Sequence, residues 1–448
     1  MNRRQFLGRT GSTLAGAAIG VLPASLLRAQ TMPIRIGLLA PLTGVAAAGG
    51  REMVDGTQFW FEQIKNEIAG RKVELLIEDD ASNPNVSLQK ARRLVEQANV
   101  HMLMGNLLAN TGLTVANYVK STGTPYFIPI IAADDLTQRD RIKNVIRVAG
   151  YSASAFTHPF GDWALKQGFK RIATISQDYS FGHEQCGGFA QVFSEGGGQI
   201  IGQFWHPLNT SDFSPYLGQI ADLKPDAVFA MENGADGSRF LQQNASFGLK
   251  GRIPLLGAMN TTDQSVIRTL GAECEGVISP AHFVEGSDNP VTQKFVKGYE
   301  AEYAKIPSLF GFSMYSGAMW VSKAIGRLSG KVEDRDAFLD AVRETELTDS
   351  PLGKTVRLDA YGNPVYDVYI RKVVRRPDGK YWNVPVEVLP KRFAVLEIRS
   401  RNLHEAARLF AYLPGHQARL NRSLRRARRI SAAPFCATIG RDRCYPHF

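Results

Sequence analysis

Apolar runs typical of β-strands alternate with helical patterns along most of this chain, and this alternation restricts its fold more than any other feature. Strand–helix alternation is typical of parallel sheets covered by helices on both faces. The rhythm starts again near residue 170, so the sequence predicts an α/β protein with two Rossmann-like halves. The predicted strands cover 34–41, 71–80, 101–105, 124–131 and 144–150 in the first set, and 170–176, 197–205, 225–231, 252–258 and 274–280 in the second.

Helical spacing of apolar residues predicts helices over 51–70 and 83–100, the first ending at Gly70 and the second opening at Asn83 and Pro84. Three more helices are predicted over 290–305, 311–330 and 335–347. The segment 353–382 is different, because alternating runs flank the turn signals Gly362-Asn363-Pro364 and Asp378-Gly379. It predicts antiparallel hairpins.

The net charge of +11 lies at the two ends of the chain. Residues 390–448 carry a net charge of +10 and residues 1–30 a net charge of +4, which leaves −3 for the body. A nucleic-acid-binding body is expected to carry its own basic patch, so nucleic acid is not predicted as a partner.

The first 29 residues have the layout of an export signal: a charged start, a stretch of small apolar residues, and a cleavage site after Ala29. Arg3 and Arg4 followed by "QFL" resemble the twin-arginine signal. A membrane anchor is the alternative, but Gly, Ser and Thr residues between Thr10 and Leu27 weaken it. We therefore expect a periplasmic protein.

The chain contains none of the motifs G-x-S-x-G, H-E-x-x-H, G-x-G-x-x-G or G-x-x-x-x-G-K-S/T, so no catalytic residues, metal ligands or cofactor are predicted. "EDDAS" (78–82) suggests either a divalent-ion site or a loop in which Asp80 or Ser82 caps the next helix, and the cap is favoured. The four cysteines are not in C-x-x-C spacing and are expected to be buried thiols rather than disulfides.

Polar and Gly-rich loops follow the predicted strands at 41–50, 105–112, 131–137, 176–182, 231–237 and 257–263. In open α/β sheets, ligands bind beyond the carboxyl ends of the strands, where helix starts present backbone N–H groups suited to a carboxylate. Tyr179 and Phe181 could cover an apolar group. The loops therefore predict a small-molecule site.

The segments "IGLLAPLTG", "YFIPIIAADDLT", "DYSFG", "FVKGYEAEYAKIPS", "YSGAMWVSKAI" and "GKTVRLDAYGNPVYDVYI" resemble type I periplasmic substrate-binding proteins of ABC transporters, particularly the leucine/isoleucine/valine-binding group. The resemblance covers about residues 33–389. It implies two lobes joined by a three-strand hinge, with ligand in the cleft between them. Lobe 1 would take residues 33–148 and 283–358, and lobe 2 would take residues 149–282 and 359–389.

The resemblance also implies a binding site. Ala109 stands where the family often has a serine, and Met259 stands where the family often has an acid that pairs with an amino-acid ammonium. Without that acid, a buried ammonium would cost several kcal/mol, which favours a neutral or carboxylate-bearing apolar ligand over a standard amino acid. The expected ligand-binding residues are Asn106, Ala109, Asn110, Thr111, Ala132, Ala133, Tyr179, Phe181, Asn233, Met259 and Asn260.

The likeness ends before residues 390–448, which contain twelve arginines and one lysine. Three interpretations of this tail are open: it binds polyanions, it is disordered, or a frame shift has replaced the native end of the chain. The frame shift is favoured. The function expected from the resemblance is a monomeric, non-enzymatic receptor that delivers a small molecule to the membrane permease of an ABC importer. The alternatives are a ligand sensor for a membrane kinase and an exported α/β enzyme.

Overall fold

The structure is a computed structural model that describes residues 32–137, 140–359 and 361–392. Six strands form a first sheet in the order β2-β3-β1-β4-β5-β6, and all neighbours in it are parallel except β2 and β3. The predicted signal peptide and the tail after residue 392 lie outside the described residues. The strands are β1 (Ile34–Ala40), β2 (Glu67–Ile68), β3 (Arg71–Asp79), β4 (Met102–Gly105), β5 (Tyr126–Phe127) and β6 (Val145–Ile146).

Seven strands form a second sheet in the order β13-β12-β11-β10-β9-β7-β8. Its strands are parallel from β8 to β11, and β12 and β13 add an antiparallel edge. The strands are β7 (Arg171–Gln177), β8 (Gln199–His206), β9 (Ala227–Met231), β10 (Leu255–Gly257), β11 (Ile278–Ala281), β12 (Tyr366–Arg375) and β13 (Tyr381–Arg392). The prediction of an α/β fold with two mainly parallel sheets is confirmed.

Helices cover both sheets. The last three helices of the described residues return to the first sheet, where the Trp60 indole N–H donates to the Ser322 hydroxyl at 2.9 Å. We call the first sheet with α1–α3 and α9–α11 the first lobe, and the second sheet with α4–α8 the second lobe. The helices are α1 (Ala47–Gln63), α2 (Pro84–Arg92), α3 (Ala109–Thr122), α4 (Ser154–Lys166), α5 (Ser180–Glu195), α6 (Ser214–Leu223), α7 (Gly234–Ser246), α8 (Gln264–Ile267), α9 (Pro290–Tyr303), α10 (Leu309–Arg327) and α11 (Arg335–Arg343).

The chain passes between the lobes three times: after β6, after β11, and between α11 and β12. The three crossings match the hinge that the resemblance implied. The limits of 33–148 plus 283–358 and of 149–282 plus 359–389 stay predictions.

The helix predicted over 51–70 is wrong at its end. The helix α1 stops at Gln63, because Lys65 and Asn66 take positive φ angles of 56° and 51° that end helical geometry. Residues 67 and 68 then pair with β3 as a short strand that the helical pattern concealed. At α2 the prediction is confirmed, since the Asn83 side chain accepts from the N–H groups of Asn85 and Val86. Asp80 and Ser82 do not cap this helix.

In the segment 353–382 the second turn signal is correct, since β12 and β13 flank Asp378-Gly379. The first turn signal is preceded by less structure than expected. Between α11 and β12, the described residues form single antiparallel bridges rather than a strand, and these join Leu347 to Val356 and Leu358 to Pro364.

Candidate functional site

Loops at the carboxyl ends of the strands meet between the two lobes, and we call the space between them the cleft. The N–H of Ala235 in the second lobe donates to the carbonyl of Val45 in the first at 3.2 Å. Gly234 has a φ of +58°, and a Cβ there would lie 2.4 Å from the same carbonyl oxygen, so only glycine allows this approach. The lobes are therefore closed on each other.

Two further hydrogen bonds cross the cleft. The Glu184 carboxylate on α5 accepts from the N–H of Asp134 at 3.2 Å. The Asp263 carboxylate accepts from the N–H of Leu309 at 2.7 Å, and this bond is buried. Each bond joins a loop of one lobe to a helix start or helix of the other, so the cleft is closed on more than one side.

In the first lobe, Asn106 is fully buried and its side chain is taken up by protein partners. Its amide donates to Asp80 at 2.6 Å and to Ser87 at 2.8 Å, and its oxygen accepts from the Tyr126 hydroxyl at 2.7 Å. Burial raises the pKa of Asp80 to about 6. The Asn106 side chain thus holds the loop between β4 and α3 in place.

Helix α3 begins at Ala109, and its N-cap residue Leu108 offers no side-chain acceptor to the first N–H groups. Asn110 accepts from the N–H of Thr111 at 2.9 Å, and the Thr111 hydroxyl donates to the Leu108 carbonyl at 2.8 Å. Helices α1, α5 and α7, which also follow strands of the two sheets, lack a side-chain cap as well. These helix starts carry partial positive charge that suits an anion.

Ala132 and Ala133 are buried in the next loop of the first lobe. The Ala132 carbonyl accepts from the N–H of Ala153 at 2.8 Å, and the Ala133 carbonyl accepts from the Arg147 guanidinium at 2.8 Å. This guanidinium, which is fully buried, also donates to the Tyr151 carbonyl. Burial lowers its pKa to about 10.

Tyr179, Phe181 and Asn233 lie together in the second lobe, and the rings of Tyr179 and Phe181 have centroids 6.1 Å apart. Burial raises the pKa of the Tyr179 hydroxyl, and a hydrogen bond with the Asn233 side chain opposes this rise. Burial likewise raises the pKa of the Tyr151 hydroxyl, and a hydrogen bond with the Asn260 side chain opposes it. Tyr151 is thus a neighbour of the predicted site residue Asn260, and the sequence analysis missed it because it follows an apolar run assigned only to a strand.

Met259 is fully buried, and its carbonyl accepts from the Arg371 guanidinium at 2.7 Å. The same guanidinium donates to the Thr262 hydroxyl at 3.1 Å and to the Phe283 carbonyl at 3.1 Å. Arg371 therefore ties the loop after β10 to the crossing after β11. It was missed because it stands in a run of alternating strand residues.

The carboxylates of "EDDAS" serve protein donors. Asp79 accepts from the N–H groups of Leu42 and Ala81 at 2.8 Å each, and Asp80 accepts from Ser82 and Asn106. Among the described residues, no group of three or more His, Cys, Asp or Glu side chains is placed to hold a metal ion. Cys186 and Cys274 are buried free thiols, as predicted, and Cys436 and Cys444 lie outside the described residues.

Two closed α/β lobes, three crossings and facing loops describe a known architecture. Residues 33–380 match the family of periplasmic binding proteins. The chain belongs to this family. Its relationship to the leucine/isoleucine/valine-binding group and its type I periplasmic binding protein fold are thereby confirmed. Family membership makes it an extracytoplasmic protein. In the part of the chain that the structure describes, no helix is both long and apolar enough to cross a membrane.

The Leu/Ile/Val-binding protein homolog 6 of Brucella abortus is 25% identical over 389 residues, which cover 85% of this chain and 97% of the relative. An ABC transporter substrate-binding protein from Sphaerobacter thermophilus is 31% identical with a TM-score of 0.74, over 80% of this chain and 98% of that one. A solute-binding protein of an R. palustris ABC transporter, solved with benzoate, is 26% identical with a TM-score of 0.76, over 81% and 98%. All three are solute-binding proteins.

Proposed function

We propose that this periplasmic binding protein is a non-enzymatic receptor that binds a small apolar or aromatic carboxylate in the cleft and delivers it to the permease of an ABC importer. The observation that carries the proposal is the closure of the two lobes on each other, with the uncapped starts of α1 and α3 in the first lobe and the buried rings of Tyr179 and Phe181 in the second. The benzoate bound by the R. palustris relative supports the ligand class. A related amide or a branched-chain amino acid would use the same cleft.

The ligand carboxylate would lie on the first-lobe loops, where α3 starts and where the Ala132–Ala133 backbone is held. The apolar body would lie against Tyr179 and Phe181. Asn106 would act through the loop that it holds, because its own hydrogen-bonding groups are used within the lobe. The residues proposed to contact or position the ligand are Asn106, Ala109, Asn110, Thr111, Ala132, Ala133, Tyr179, Phe181, Asn233, Met259 and Asn260.

A thermal-shift screen over aromatic acids, aliphatic acids, amides, amino acids and polyols tests the ligand class. A ligand at 100 times its dissociation constant should stabilise the closed protein by about 2.7 kcal/mol, which raises the melting temperature measurably. Stabilisation by polyols alone, with no response to any carboxylate, would contradict the proposal.

Asn110→Asp tests where the carboxylate lies. The substitution keeps the shape of the second residue of α3 but adds a negative charge there, which should weaken carboxylate binding at least tenfold, or by about 1.4 kcal/mol. The folded state should not suffer, since a negative charge suits a helix start. Asn85→Asp at the second residue of α2 is the matched control and should leave affinity unchanged. Equal affinities of the two variants by calorimetry would place the carboxylate elsewhere.

A further inference from the structure

Four buried, neutral side chains belong to the crossing after β6 and to the loops after β7, β9 and β10 of the second sheet: Tyr151, Tyr179, Asn233 and Asn260. We call them the tyrosine–asparagine wall. Their exposed fractions are 2%, 8%, 4% and 2%. The Asn260 side chain lies close enough to Tyr151, and the Asn233 side chain close enough to Tyr179, for each asparagine to oppose the rise that burial gives to the pKa of the tyrosine hydroxyl. The wall therefore offers hydroxyl and amide groups, and none of its members carries a charge.

The acids next to the wall are taken by protein partners. Glu232 directly precedes Asn233, and both of its oxygens lie 3.0 Å from Nε2 of His206. The other ring nitrogen of His206 lies 3.0 Å from the Pro207 carbonyl, which accepts only, so that nitrogen carries a hydrogen. One proton is then shared between Nε2 and the Glu232 carboxylate, and the pair is neutral overall.

The carboxylates of Asp236 and Asp263 also have protein partners. Asp236 accepts from the Gln177 amide at 2.6 Å and forms an ion pair with Arg239. One oxygen of Asp263 accepts from Ser265 and the other from the N–H of Leu309 at 2.7 Å. An ammonium group placed at the wall would have to take a carboxylate from one of these partners.

One acceptor in the wall has no partner. Oδ1 of Asn260 is buried, and it accepts no hydrogen bond within the described residues. A buried acceptor without a donor destabilises the closed state, whereas a ligand group with a hydrogen to donate would satisfy it. A neutral hydroxyl fits this position better than an ammonium, since the hydroxyl needs no counter-charge.

We infer that the tyrosine–asparagine wall selects ligands with a hydroxyl group at the end opposite the carboxylate, and rejects ligands with an ammonium group. This inference rests on the proposed function, which places the carboxylate on the first lobe. It assigns the choice between hydroxyl and ammonium ligands to Asn260 and Tyr151. Asn260 follows Met259, whose carbonyl is bound by Arg371. The carbonyl of Tyr151 is bound by Arg147.

Calorimetry with two matched ligand pairs tests the inference. The first pair is benzoate and 4-hydroxybenzoate, which differ in one hydroxyl. The second is leucine and 4-methylpentanoate, which differ in the amine. The hydroxylated acid should bind roughly tenfold more tightly than benzoate. The acid without the amine should bind at least tenfold more tightly than leucine.

Tyr151→Phe and Asn260→Leu should each reduce the preference for 4-hydroxybenzoate over benzoate to within about twofold. Tyr315→Phe is the matched control, because it removes a hydroxyl that donates to Gln63 outside the cleft, and it should keep the preference. The ratio of the affinities for 4-hydroxybenzoate and benzoate separates a loss of ligand preference from a general loss of folded protein, because misfolding would lower both affinities alike.

Equal binding of each pair, or tighter binding of leucine, would overturn the inference while the proposed receptor function stands. An unchanged ratio in Tyr151→Phe and Asn260→Leu would do the same. No binding of any of the four ligands, together with no stabilisation by any other carboxylate, would overturn the proposed ligand class and the inference with it.

Discussion

Asn106 influences the cleft through the backbone, although its side chain has no hydrogen-bonding group left over. It has a φ of +26°, a value that few residues other than glycine adopt. The bonds to Asp80, Ser87 and Tyr126 compensate for this strained conformation. The conformation in turn sets where α3 begins. Asn106 can therefore act on the candidate site by fixing the backbone of its neighbours.

Asp80 predicts a specific pH dependence of stability. Burial raises its pKa in the folded protein to about 6 from a usual value of 3.8, so the folded state binds the proton more tightly than the unfolded state. Its contribution to stability should be full below pH 4 and should fall as the pH rises to 6. Across this window the wild type should lose about 3 kcal/mol relative to Asp80→Asn. Urea unfolding of both proteins at pH 4, 5, 6 and 7 measures the difference, and parallel pH profiles would contradict it.

Part of the site could be predicted at the residue scale. The rule that ligands bind beyond strand ends predicted Tyr179, Asn233 and Asn260 as members of one site, and their contact with a ligand stays a prediction. Arg147 and Arg371 could not be found this way, because a single arginine in an apolar run is indistinguishable from a solvent-facing strand residue. Their burial depends on carbonyl groups that are far away in the sequence, as the contact of Arg371 with Met259 shows.

At the scale of elements, the helices differ in how they begin. Helices α2, α8, α9, α10 and α11 are capped by a side chain, whereas α1 and α3–α7 are not. Strands and helices were predictable from periodicity, which depends on the buried face of each element. The ends of the strands and helices were less predictable, because the end of α1, for example, depends on two positive φ angles rather than on the spacing of apolar residues.

Arg268, just after α8, holds the second lobe against the first. Its guanidinium donates to Glu52 on α1 at 2.7 Å and to the Ile306 carbonyl at 2.7 Å. Glu52 also contacts Lys305 at 2.9 Å and accepts from the Tyr299 hydroxyl at 3.0 Å, so it remains paired when the lobes part. The contact between Arg268 and Glu52 therefore stabilises the closed state, and opening of the lobes does not leave the Glu52 carboxylate without a partner.

Arg268→Gln should weaken ligand binding about tenfold, because it removes a charge-assisted bond that only the closed state makes. The melting temperature of the ligand-free protein should change little, since each lobe keeps its own core. Small-angle X-ray scattering should show a larger radius of gyration without ligand. Arg327→Gln, which breaks a pair with Glu344 inside the first lobe, is the control. Equal scattering and affinity of the two variants would show that Arg268 does not hold the lobes together.

At the scale of the whole molecule, the strands that the structure describes end with β13 at Arg392, so β13 includes the first three residues of the basic segment 390–448. A chain that ends at Arg392 should fold and bind ligand like the full chain. It should also lose most salt-dependent adhesion to heparin, because residues 393–448 carry eleven basic and three acidic side chains. Circular dichroism and heparin chromatography at increasing salt measure the two effects. Unfolding of the shortened chain would show that the tail completes a lobe.

The three crossings between the lobes have a consequence for the order in which the protein is made. The first sheet has all its strands once residue 146 has been synthesised, but its covering helices α9–α11 come only after residue 290. The second sheet lacks two of its strands, β12 and β13, until the chain has been synthesised beyond residue 366, where β12 begins. Neither lobe can bury its core while most of the chain is still being translated. Both must therefore reach their final packing late and nearly together, and until then the growing chain exposes apolar surface that chaperones can bind.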